Sequence, residues 1–141
     1  MITVRSLQRR HQLDLRELRS FAERARVLCL QLPHNRATPL TTLPEIHVAL
    51  VSDRKMAVLH QQFMNIAGPT DVLTFEHGEI VISVDTATAN AEQFHTAIDR
   101  EVRLYIVHGL LHLHGYDDTT TTKAKRMHDV QERILAAALA S

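Results

Sequence analysis

Residues 72–84 read VLTFEHGEIVISV. Two runs rich in β-branched and aromatic residues, VLTF (72–75) and IVISV (80–84), flank EHGE, whose glycine suits a tight reversal. The segment reads as a pair of strands closed by a glycine turn. Upstream, IHVALVS (46–52) has the composition of a strand, and ITVRS (2–6) alternates as a shorter one. Between those two, Leu15, Leu18, Ala22, Ala25, Cys29 and Leu32 recur at steps of three and four. That spacing predicts one amphipathic helix, with Asp14 as its cap. PHNRATPLTTLP (33–44) breaks it and reads as a connection. Ser52-Asp53 offers a cap for a helix carrying Val58, Leu59 and Phe63, and Asn65 to Pro69 reads as a loop. Downstream the pattern predicts a polar helix at 86–94, a long one at about 97–114 and a last one at about 120–139. Met127, Val130, Ile134 and Ala138 fall on the buried face of that last helix. The expected fold class is α+β: a small mixed four-stranded sheet covered by about five helices, in a single domain over residues 1–141.

Composition narrows the function classes. With 45% hydrophobic and 23% charged residues and no net charge, the chain has an ordinary globular make-up and no overall cationic character of the kind that attracts nucleic acid. The distribution is uneven. Residues 1–36 hold eight arginines against three acids, and residues 71–101 hold seven acids against Arg100. The arginines could form a solvated helix face or an arm that steers RNA phosphates, with Arg9, Arg10, Arg16 and Arg19 as its candidates. The lone cysteine, Cys29, rules out an internal disulfide, fits a reducing compartment and lies on an apolar stripe as a small core residue. The first twenty residues are too charged for a signal peptide, and the longest apolar run, ILAAALA (134–140), is too short to span a bilayer. The expected location is cytoplasmic, without a membrane partner.

The chemistry is concentrated in HGLLHLHGYDD (108–118). His108 and His112 are four apart, so on a helix they share a face with Cβ atoms about 5–6 Å apart. Two imidazoles at that spacing can converge on one ion. His114 lies about 240° around from His108 and cannot join them while the helix persists. Gly115 supplies a left-handed stop, after which the chain can fold back and bring Asp118 to the same point. Ligands at 0, +4 and +10 with glycine at +7 match the zincin-type spacing, except that Gly109 stands where the catalytic glutamate would be and the third ligand is a carboxylate. Three protein ligands leave a fourth position for water, whose pKa zinc would lower to about 7, so a metal-bound water is one candidate nucleophile, with a ribose 2′-OH as the other if the substrate is RNA.

HGLLHLHGYDD, taken with PTDVLTF (69–75) and GEIVISVDTA (78–87), resembles the YbeY-type endoribonuclease family of rRNA maturation factors, over nearly the whole chain. The resemblance implies a single-strand-specific, metal-dependent endoribonuclease that acts in 16S rRNA 3′-end maturation and ribosome quality control. It implies one Zn2+ per chain on His108, His112 and Asp118, the last replacing the family's usual histidine and making the metal less strongly Lewis-acidic. The implied partners are rRNA or pre-30S ribosomal particles, with ribosomal proteins or an Era-type GTPase beside them. The family's TD pair falls on Thr70 and Asp71. Asp71 either orients a metal ligand or water, or joins Thr70 in capping the turn before the strand. Glu101 is a weaker candidate for a supporting role. Where many members carry an arginine before PTDVL, this chain has Met64, which cannot clamp a phosphate. His60, Arg54 or Lys55 would then have to supply the charge. Two other functions compete with RNA cleavage: a ribosome-assembly binding factor with a structural zinc, and a metallopeptidase, against which Gly109 argues because it cannot accept a proton.

Overall fold

A computed structural model describes residues 1–34 and 36–140; Asn35, inside the predicted connection, and Ser141 lie outside them. The glycine hairpin forms as expected. Strands β3 (Val72–Phe75) and β4 (Glu79–Ser83) pair antiparallel, with Val72 opposite Ile82 and Phe75 opposite Glu79. Gly78 turns the chain at φ +105°, and a Cβ there would stand 2.9 Å from the Glu45 carbonyl oxygen, so both conformation and space demand glycine.

On its other side β4 pairs in parallel with β2 (Ile46–Val51), and β2 pairs in parallel with β1 (Ile2–Ser6). The order β1-β2-β4-β3 makes the sheet mixed and leaves β3 on an edge. Alternate residues of the central strands face opposite ways, and both faces are covered. Ala49, Val51, Leu73 and Val81 pack with Met56 of helix α3 (Asp53–Met64). Val48, Leu50, Ile80 and Ile82 join the larger core with helices α1 (Leu15–Leu30), α4 (Val84–Phe94), α5 (Ile98–Leu113) and α6 (Thr121–Ala140).

The helix boundaries have local causes. Asp14 accepts from the Glu17 N–H at 3.1 Å, and Ser52 accepts from Lys55 N at 3.2 Å. Asn65 closes α3 in the left-handed region at φ 55°. Ser83 caps α4, which is why that helix starts at Val84 and the preceding strand stops one residue before its expected end. The predicted connection contains one further element, α2 (Pro39–Thr42), so the described residues form six helices where about five were expected. Four residues give no periodic signal. Proline at the first helical position and the reciprocal Thr38–Thr41 capping box start this turn. Among the described residues, no helix is long and apolar enough to cross a membrane.

Candidate metal centre

His108 and His112 do share a face of α5. Their rings stand edge to face with centroids 4.6 Å apart, and the two Nε2 atoms are separated by 3.0 Å. Ligand atoms on a tetrahedral ion with bonds of about 2.0–2.1 Å lie about 3.3 Å apart, so the pair already has a ligand-like spacing. The His108 ring is held from behind: its Nδ1–H donates to Gln131 Oε1 at 2.8 Å. Gln131 sits on the buried face of α6 beside Met127, Val130 and Ile134. That bond fixes the tautomer with the proton on Nδ1 and leaves the Nε2 lone pair toward His112. Burial, and then the neighbouring His108, lower the pKa of His112, against weaker opposing effects of Asp118, a backbone hydrogen bond to Tyr116, and Asp117. The imidazole is therefore biased toward the neutral form that binds metals.

The turn after α5 brings the third group. Gly115 adopts φ +95° and reverses the chain. His114 points elsewhere, bonded through Nδ1 to Thr38 Oγ1 at 3.0 Å, and it is buried against His34, as its helical phase requires. Asp117 shapes the turn. It accepts from the Thr119 backbone at 3.1 Å and hydroxyl at 2.8 Å and faces Lys123 at 3.5 Å. The Thr119 bonds first, with Lys123 adding to them, hold its carboxyl below the usual range. Asp118 is left facing the histidines, and one ligand atom from each of His108, His112 and Asp118 lies within 4.8 Å of the others. Two imidazoles and a carboxyl group form a donor set suited to a divalent ion.

His112 and Asp118 open onto a cleft of about 360 Å³ against the edge strand, lined also by Met64, Thr74 and Glu76. Met64 thus occupies the cleft wall, and no lysine or arginine lines it. None of the three residues considered as replacements is there. His60 is bonded to the Gly68 carbonyl at 2.9 Å, while Arg54 and Lys55 project from the first turn of α3, about 15 Å of helix from Met64. Asp71 stands at the entry to β3, where it accepts from Val72 N at 2.8 Å; the structure does not gather it with the histidines. Glu101 closes the start of α5 by accepting from the Thr96 hydroxyl at 2.9 Å. Gly109 lies against the sheet. A Cβ there would meet Ile80 side-chain atoms at 2.8 Å, so no glutamate fits at this position.

Gln131, Thr74 and Glu76 join the site without having been expected from the sequence. A signal for Gln131 existed: it is a polar residue in phase with an apolar stripe. Thr74 and Glu76 gave none, because their place in the cleft follows from β3 lying on the edge.

The Endoribonuclease YbeY family model matches residues 4–138. The chain is similar to the protein named Endoribonuclease YbeY from Frankia alni, at 33% identity over 121 residues, covering 72% of this chain and 67% of the relative. It is similar to the one so named from Nautilia profundicola, at 44% identity over 89 residues, covering 57% of this chain and 64% of that one. The chain thus spans about two thirds of the length of these curated relatives. Among solved structures, the solution structure of TM1509 from Thermotoga maritima superimposes with a TM-score of 0.68 at 25% identity, covering 99% of this chain and 90% of the other. By sequence and by fold, the chain belongs to the Endoribonuclease YbeY family.

Proposed function

We propose that this chain is a zinc-dependent endoribonuclease that cuts single-stranded RNA, with His108, His112 and Asp118 as the metal ligands. The proposed setting is cytoplasmic, in 16S rRNA 3′-end maturation on pre-30S particles, with the whole of residues 1–141 acting as one domain. One observation supports the site above all others. The His108 and His112 Nε2 atoms stand 3.0 Å apart while Gln131 holds the far nitrogen of His108. A buried glutamine holding a histidine in the metal-binding tautomer is the kind of outer support that metal ligands have. When bound, zinc supplies Lewis acidity toward a phosphodiester oxygen and acidifies water.

The chain's own residues do the rest. Gln131 keeps the proton on His108 Nδ1 so that Nε2 stays available. The Gly115 reversal and the Asp117–Thr119 bonds aim Asp118 at the histidines. Asp71 acts by anchoring the entry to β3, the strand that forms the cleft wall. The cleft is open at an edge strand, which suits an extended single strand better than a duplex.

The peptidase reading loses its support because position 109 packs on Ile80 and leaves no room for a catalytic carboxylate. The binding-factor reading draws on Met64 and on a cleft without cations. A metal titration tests the site: the purified chain takes up one zinc, and His108→Ala, His112→Ala and Asp118→Ala each weaken it. Tight zinc binding that survives His112→Ala would remove these residues from the site.

A further inference from the structure

The turn that carries Asp118 has a second side. Asp118 lines the metal cleft, whereas His114 to Asp117 line a separate pocket of about 430 Å³ with Arg36, Lys123 and Arg126. A neighbouring groove of about 620 Å³ shares Tyr116 and Arg126 with that pocket and adds Lys125 and Arg133. Pocket and groove together present five lysine and arginine side chains against Asp117 and Asp129. Lys123 is paired with Asp117 at 3.5 Å. Among the described residues, Arg36, Lys125, Arg126 and Arg133 have no carboxylate partner within ion-pair distance.

The metal cleft has the opposite character: its lining includes Glu76 and Asp118 and no lysine or arginine. A phosphodiester strand held there has nothing in the lining to neutralise the phosphates beside the one at the metal. Arg36, Lys123 and Arg126 line the pocket on the other side of the 114–118 turn. The arm read from Arg9, Arg10, Arg16 and Arg19 is not a substitute. Arg10 and His11 meet Asp85, which also accepts from the Asp53 N–H, and both aspartates lie just past the C-terminal ends of the parallel strands. The metal turn is at the other end of the sheet, beyond the contact of Gly109 with Ile80 near the start of β4.

We infer that the groove formed by Arg36, Lys123, Lys125, Arg126 and Arg133 binds the sugar–phosphate backbone of the RNA strand that continues from the metal cleft over the Gly115–Asp117 turn. This inference rests on the RNA reading of the cleft. Tyr116, half-buried between pocket and groove, gives the strand one ring to lie against. Recognition of this kind is blind to base identity and depends strongly on salt.

The test is the salt dependence of binding of a fluorescent single-stranded oligoribonucleotide to the full chain. It uses the His112→Ala background so that the strand stays whole. Adding Arg36→Gln, Arg126→Gln and Arg133→Gln together lowers affinity on the order of tenfold and flattens the plot of log K against log salt by about 2, at ~0.7 for each phosphate deprived of its cation. These side chains lie at the surface, so thermal melts stay unchanged. Replacing Arg9, Arg10, Arg16 and Arg19 with Gln leaves both quantities as they were. Equal affinity and slope in the groove variant, while the zinc-loaded wild type still cuts RNA, overturns the groove and leaves the RNA reading standing; an acidic protein segment as occupant would give that result. If the wild type neither binds nor cuts RNA, both fall.

Discussion

A single amide decides how the His108 ring can be used. Gln131 accepts from His108 Nδ1 at 2.8 Å from a buried position, so Gln131→Leu keeps the volume of α6 but frees the ring to change tautomer and rotate. Zinc affinity then drops about 10–100-fold while the fold persists, as measured by competition with a chromogenic chelator. Unchanged affinity would mean that the amide has no supporting role. At this scale the gathering of His108, His112 and Asp118 was legible in the sequence, because i,i+4 spacing and a glycine stop are local geometry. Gln131 showed only as a polar residue in phase with an apolar stripe, because its bond to His108 depends on how α6 lies across α5, and of the two roles read for Asp71 the structure shows the bond at the strand entry. The sequence places Asp71 next to a strand but cannot say that its carboxylate is engaged by the Val72 N–H.

Among the elements, α5 does the most to place the site. It sits close on the sheet because Gly109 has no side chain, and that closeness sets the height of His108 and His112 above the edge strand. Gly109→Ala puts a methyl 2.8 Å from Ile80 atoms, and overpacking of that kind costs about 1–3 kcal/mol. Urea unfolding should show that destabilisation, together with weaker zinc binding as the helix lifts. A neutral or stabilising result would show that the helix has slack against the sheet. Most elements were readable from periodicity and caps, since Asp14, Ser52 and Gly115 act within a turn of their own positions. The helix Pro39–Thr42 escaped because its signal is a proline and a threonine box rather than a repeat. The Ser83 cap likewise moved the β4–α4 boundary by a residue or two.

At the scale of the whole molecule, strand order and charge placement were beyond the sequence. The hairpin was evident, but nothing local says that β3 ends on the edge, where it makes one wall of the cleft at His112 and Asp118. The N-terminal arginines look like a nucleic-acid arm in one dimension, yet the register of β1, β2 and β4 carries Arg10 to the end of the sheet away from the histidines. The core also sets an alkaline limit. Burial pushes the Cys29 thiol from 9.0 up to about 12. Tyr105 rises from 10.0 to about 12, chiefly by burial, although an Asn90 hydrogen bond pulls the other way. The folded chain keeps both groups neutral while the unfolded chain ionises them, so their contribution to stability is complete below about pH 9 and is lost progressively up to about 12. Denaturant titrations at pH 8 and pH 11 should show this fall, and Cys29 should resist thiol reagents in the native state. Fast thiol labelling of folded protein at pH 8 would contradict the burial.

We propose the histidine turn as a hydrolytic metal site acting on single-stranded RNA. It is tested most directly by cleavage of one labelled strand, alone and annealed to its complement. The samples are the zinc-loaded chain, chelated chain, chelated chain with zinc restored, and His112→Ala. The hydrophobic core is built without the metal, so the chelated chain should remain folded by circular dichroism while losing activity, and zinc should restore it. The predicted result is cutting of the free strand only, and only in the two zinc-bearing wild-type samples. Equal cutting by His112→Ala, or none by the zinc-loaded chain, would contradict it.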